Sequence, residues 1–178
     1  MRDLLNGSYK RMTRTEYLAD FWDKYWTADS SGIWKLERLQ NFQETGYQVW
    51  EAFDRGDWAE SLRLLEADRA EIAAHHRRLT AAGTSLTWIR AVEPPLNPYV
   101  RWNLHVLRIR EQYGTDARIV GPQQLDPREA GGRLPEIVAV GSCDHCGPFG
   151  RIGDRCCVRR QVCSSAVLEV EGESGVRS

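Results

Sequence analysis

A chain of 178 residues is long enough for one domain with a substantial core, and a second independent core would be a squeeze. Its 24 Lys and Arg against 25 Asp and Glu leave a net charge of -1, which excludes a global attraction to nucleic acid or to an acidic membrane surface. Hydrophobic residues at 42% and 7 tryptophans exclude a disordered chain, because such chains cannot bury enough surface to offset their entropy.

The N-terminus, "MRDLLNGSYKRMTRTEYL", carries positive charge without the apolar run of a signal peptide, and nothing later reads as a membrane span. The expected compartment is the cytoplasm, where 5 cysteines serve as free thiols or metal ligands sooner than as disulfides. Residues 1–12 read as a flexible N-terminus. At "TRTE", Thr13 and Glu16 have capping-box spacing, and Leu18, Phe21, Trp22 and Tyr25 recur at helical spacing, which predicts a helix over 14–27 laid on the core. "IWKLERLQNF", 33–42, places Trp34, Leu36 and Phe42 on one parity and predicts a strand. "YQVWEAF" reads as one or two helical turns.

The longest predicted helix covers 58–82, capped by Asp57 with Glu60 three residues on and closed by Gly83. "TSLTWIRAVE", 84–93, is apolar on both parities and predicts a strand covered on both faces, as in a parallel sheet. Asn97, Pro98 and Gly114 then bracket a helix with two apolar stripes, so it meets protein on more than one side. "ARIVG" (117–121) and "EIVAV" (136–140) read as strands, and the prolines and paired glycines of "PQQLDPREAGGRLP" between them read as a loop. The fold class is therefore α/β: a small, mainly parallel sheet of about four strands with helices packed on it, an N-terminal helix, and an irregular C-terminal tail. Residues 1–140 form the single domain, and 141–178 form the tail.

"WKLERLQNFQETG", "WEAFDRGDWAESLRLLE" and "EPPLNPYVRWNLHVLRIREQYG", in this order and at these separations, resemble an actinobacterial family catalogued only as a domain of unknown function, number six-eight-seven-nine, over roughly residues 30–140. The resemblance carries no catalytic residues. Members of the family are often encoded beside helix-turn-helix regulators, so it implies a regulatory or partner-binding role by association. After "EIVAVG" the sequence departs from the family pattern, and the aperiodic remainder reads as disordered or as the product of a shifted reading frame.

Two segments offer chemistry. In the tail, Cys143 and Cys146 have the C-x2-C spacing that grips Zn²⁺, and Cys156 or Cys157 with Cys163 would complete four ligands, with His145 as a substitute. The pairing C-C-x5-C is a poor second half. No other cofactor is expected. The loop "EPPLNP", 93–98, leaves a strand end and enters a helix N-terminus, where anions are favoured. Glu93, Asn97, Arg101 and His105 are its candidate ligand-binding residues. Against this, Asn97 serves as a cap, Arg101 as a solvated charge, and His105, between Trp102 and Ile109, as a core histidine. His75 and His76 project about 100° apart, too divergent to share a metal, with at least one expected in solvent.

No G-x-G-x-x-G, P-loop, G-x-S-x-G or H-E-x-x-H is present. The expected function is a non-catalytic, cytoplasmic regulatory or protein-interaction domain whose partner is a protein, with a helix-turn-helix regulator the candidate and no direct nucleic-acid contact. A small-ligand or anion-processing enzyme using the crevice from Glu93 to Arg101 is the second reading. A zinc-stabilised binding module is the third.

Overall fold

The structure, a computed structural model, describes residues 13–141. Thr13 caps the first helix, α1 (Arg14–Trp26), and the expected capping box is closed in both directions with Glu16. Tyr25 is buried against the core. Leu18 and Trp22 remain exposed, so only part of the expected stripe is laid down.

Strand β1 (Ile33–Glu37) follows, then helix α2 (Gln48–Asp54), helix α3 (Trp58–Ala67) and helix α4 (Arg69–Ala81). Two expectations are corrected here. The strand expected to reach residue 42 stops at Glu37, because the next two backbone N–H groups, of Arg38 and Leu39, donate to the Glu136 carboxylate at 2.7 and 2.5 Å instead of to a ladder. The single helix expected over 58–82 is two helices parted at Asp68. The break is one residue wide, with φ -73 and ψ -7, so the apolar rhythm runs through it; Tyr47 donates its hydroxyl to the Asp68 carboxylate at 3.3 Å.

The chain continues through strand β2 (Leu86–Ala91), helix α5 (Pro98–Glu111), strand β3 (Asp116–Val120), helix α6 (Pro122–Glu129) and strand β4 (Ile137–Val140). Helix α6 lies where a loop was expected. Its Pro122 occupies the first turn, where a missing N–H costs nothing, the Gln124 side chain accepts from Gly121 N–H at 2.7 Å, and Leu125 is buried. Pro127 removes one further donor, a tolerable loss in so short a helix.

The sheet order is β3-β2-β1-β4, with β1, β2 and β3 parallel and β4 antiparallel to β1. Alternation along the strands sorts the core into two faces. On one, Leu36, Ile89 and Ala91 pack with Leu125 and Leu134. On the other, Ile33 and Leu86 pack with Tyr25 and Leu79, and the same face carries Lys35, Glu37, Trp88 and Arg90 further along the strands. A third cluster joins α2, α3, α4 and α5 around Trp50, Leu65, Val100 and Trp102. Helix α5 is buried along most of its length, as its two stripes require. Among the described residues no helix is long and apolar enough to cross a membrane.

Candidate functional site

Two parallel strands, β1 and β2, end side by side, and the segments that leave them are stitched together by side chains. Gln40 donates to Ala91 O and Arg38 O, each at 3.0 Å, and accepts from Glu93 N–H at 3.0 Å. Asn97 caps α5 by accepting from Val100 N–H at 2.8 Å, and its amide donates to Gln40 O at 2.7 Å. The Pro94–Pro95 bond between them is cis.

Arg38 is the hub of this edge. Its Nε and Nη2 grip Glu129 as a fork at 2.6 and 2.8 Å, and Nη1 donates to Glu93 at 2.5 Å. These bonds raise the Arg38 pKa further above its ordinary value, and the Arg38 fork holds Glu129 down at about 2, well below a usual carboxylate. Burial pushes Glu136 up against the backbone bonds that lower it. Arg133 approaches Glu93 at 3.5 Å. Every charge at this edge has a partner.

Behind it, on the face shared with α5, lies a second polar group. Glu37 accepts from Lys35 at 2.6 Å and stands 3.8 Å from Arg90, whose Nη1 donates to Leu39 O at 2.6 Å. Phe42 and Tyr99 flank the Arg90 guanidinium, with ring centroids 5.9 and 5.7 Å away. Tyr99 donates to Glu44 at 2.5 Å. Burial raises the pKa of both, and the neighbouring Glu44 charge adds to the rise at Tyr99.

The outer face of α5 is different again. Trp58, Pro98, Arg101, Leu104, His105 and Arg108 line an open groove of about 650 Å³. Trp58 and Leu104 are half-buried, while Arg101, His105 and Arg108 are exposed at spacings of four and three along the helix. The His105 ring meets Trp58 edge-on at 5.6 Å. Among the described residues neither Arg101 nor Arg108 is paired with a carboxylate, a state they share with Arg55, Arg77, Arg78, Arg110 and Arg128 but not with Arg38, Arg63, Arg69 and Arg118.

The four residues read from the sequence as one lining thus fall into two places. Glu93 and Asn97 are engaged in the strand-end stitching; Arg101 and His105 face the groove. His105 is not a core histidine but an exposed one. The expectation of a solvent-exposed member of the His75–His76 pair is also overturned: His75 is half-buried against the Tyr25 hydroxyl at 2.7 Å, and His76 is buried against the Thr115 hydroxyl at 2.8 Å. Desolvation lowers both, His76 to about 4. Cys143, Cys146, Cys156, Cys157, Cys163 and His145 lie outside the described residues. Among the described residues no group of three or more His, Cys, Asp or Glu is placed to hold a metal ion.

Sequence reasoning passed over Arg38, Arg90, Glu37 and Glu44. A signal for Arg90 was present: a guanidinium inside "TWIRAV", a strand read as covered on both faces, has no solvent to reach and must find its partners within the fold.

A family model described as "Domain of unknown function (DUF6879)" matches residues 20–140. No curated protein and no solved structure matches the chain. The chain belongs to this family of unknown function.

Proposed function

We propose that the chain is a non-catalytic regulatory domain of the cytoplasm that docks a protein partner on the outer face of α5. One observation carries the reading: Arg101 and Arg108, unpaired among the described residues, flank the apolar edge of Trp58 and Leu104 in an open groove. An aromatic ring beside guanidinium groups is the composition that protein interfaces favour at their anchoring points. Unpaired cations in such a groove attract an acidic partner and fix its register. Glu93 and Asn97, the other residues of the strand-end segment, are engaged in bonds that hold the fold. The partner that the family resemblance implies is a helix-turn-helix regulator, which meets this chain by protein contact and not through nucleic acid.

The test is capture of that regulator by the purified full chain. The wild type is expected to retain it at micromolar concentration, and the double reversal R101E/R108E is expected to weaken retention by about tenfold or more. No association, or equal retention by the double variant, would sink the reading.

A further inference from the structure

Seven buried side-chain atoms find no hydrogen-bond partner among the described residues: Glu37 Oε2, Thr84 Oγ1, Trp88 Nε1, Arg90 Nε and Nη2, Asn103 Oδ1 and Arg110 Nε. Folded interiors leave few such atoms, and each calls for a partner. All but the Thr84 hydroxyl belong to one layer, between the sheet and the inner face of α5. Glu37 and Arg90 are register partners, and Trp88 shares their face two residues back along β2. Across from them, Tyr99 lies over Arg90 and Arg110 lies 5.7 Å from the Trp88 ring. Asn103, one helical turn beyond Tyr99 and two before Arg110, falls on the stripe between them.

The chemistry of these atoms specifies a ligand. The Nε and Nη2 of Arg90 form the edge that grips a carboxylate through two parallel N–H bonds, the same edge by which Arg38 holds Glu129. In Arg90 that edge is fully buried and unengaged. Lys35, Arg90 and Arg110 face Glu37 and Glu44, and Glu136 also bears on Arg90. The Glu37 and Asn103 oxygens are acceptors and call for a donor on the same molecule. The layer sits at the carboxyl ends of two adjacent parallel strands, where α/β sheets hold their ligands. Lys35 and Glu44, both partly exposed, mark its approach.

We infer that this layer binds a small carboxylate that also carries a hydroxyl or ammonium group, with the Arg90 fork on the carboxylate and Glu37 and Asn103 on the donor. The inference does not rest on the docking face of α5. Its residues point to the opposite side of that helix.

Titrating the full chain with glycolate and glycine, and with acetate as the carboxylate lacking a donor, tests it. At saturation glycolate or glycine is expected to raise the melting temperature by about 2–4 °C and to shift the Trp88 indole and Arg90 Nε–H resonances; acetate does less. Arg90→Lys keeps the charge but loses the fork, and is expected to weaken the response by about tenfold or more. Should that variant fail to fold, the two wild-type resonances still decide. Unmoved resonances with every probe, or a crystal structure grown with the probes showing only ordered water on these atoms, would overturn the inference. R101E/R108E is expected to leave the response unchanged, so the docking reading can fail while this one stands.

Discussion

Arg38 and Arg90 sit at the same ends of two neighbouring parallel strands, both almost fully buried at 6% and 0% exposure. Yet the fold treats them in opposite ways. Around Arg38 three elements converge with carboxylates: Glu93 after β2, Glu129 from α6 and Glu136 ahead of β4. Around Arg90 one nitrogen meets two carbonyls, two aromatic rings close the sides, and the carboxylate-gripping edge meets no acceptor among the described residues. A buried guanidinium costs several kcal/mol of desolvation unless its donors are answered. The saturated arginine is accounted for by the fold it ties together; the unsaturated one is not, and this difference directs attention to the inner layer.

The largest expected effect lies on the saturated side. Arg38→Met removes a charge that holds Glu129 in place and leaves that carboxylate, 13% exposed, without its cation. Breaking such a pair from one side typically costs about 3–5 kcal/mol. With Glu129 near the rim the lower end, about 3 kcal/mol, is expected in urea unfolding. The same fork gives an acid signature. Glu129, held at about 2 in the fold against its ordinary value of 4.5, contributes stability that is complete above the unfolded value and is lost as pH falls through the folded one. Arg38→Met should therefore flatten the wild-type loss of stability below pH about 4.5. An unchanged acid limb would show that Arg38 is not the hub.

What could be read from the sequence follows the range of the interactions involved. The Thr13–Glu16 box and the Asn97–Pro98 start of α5 are local signals, settled within four residues, and both stand in the structure. The two-sided burial of β2 was visible in its composition. The end of β1 was not, because what stops the ladder is the carboxylate of Glu136, almost a hundred residues away. Asp68 interrupts a helix whose apolar rhythm never falters, and no periodicity marks it. Helix α6 was masked by its own prolines, read as breakers although Pro122 starts it. Of the candidate site, Arg101 and His105 were assigned to a strand-end crevice and lie instead on the outer face of the helix. Their surroundings depend on Trp58, brought in from α3 by packing that sequence spacing does not encode.

A middle-sized effect probes how much charge the inner layer tolerates. His76 is buried beside it, hydrogen-bonded to Thr115, with His75 on its own helix and Arg110 on α5 as the charged or titratable groups that bear on it. Desolvation first, then His75 and Arg110, lower its pKa from 6.5 to about 4. A depressed folded pKa means that the unfolded chain binds the extra proton, so stability is complete above pH 6.5 and falls as pH drops toward 4. His76→Gln keeps a hydrogen-bonding side chain and removes the titration. Melting temperature measured across this window should fall for the wild type, by the equivalent of about 2 kcal/mol at its acid end, and fall less for the variant, in which His75 and Glu129 still titrate. A parallel fall in both would assign the loss to other groups.

The smallest effect is the sharpest discriminator. If Arg90 is a structural residue like Arg38, Arg90→Met should cost about as much. It should cost much less on the reading given above. Only Nη1 has acceptors, Leu39 O at 2.6 Å and Glu37 O at 3.4 Å; the Glu37 carboxylate, at 3.8 Å, keeps its bond to Lys35; and Met fills most of the arginine's volume while removing two buried donors that nothing answers. Replacing a poorly compensated buried ion by an apolar side chain is often nearly neutral. A loss of about 1 kcal/mol, from the Leu39 and Glu37 carbonyls deprived of the Nη1 donor, is therefore expected in the same urea measurement that shows about 3 kcal/mol for Arg38→Met. Equal losses would erase the distinction between the two arginines. A small loss accompanied by a vanished response to glycolate would locate the purpose of Arg90 in binding: the fold retains a guanidinium it does not need for stability because a carboxylate outside the chain completes it.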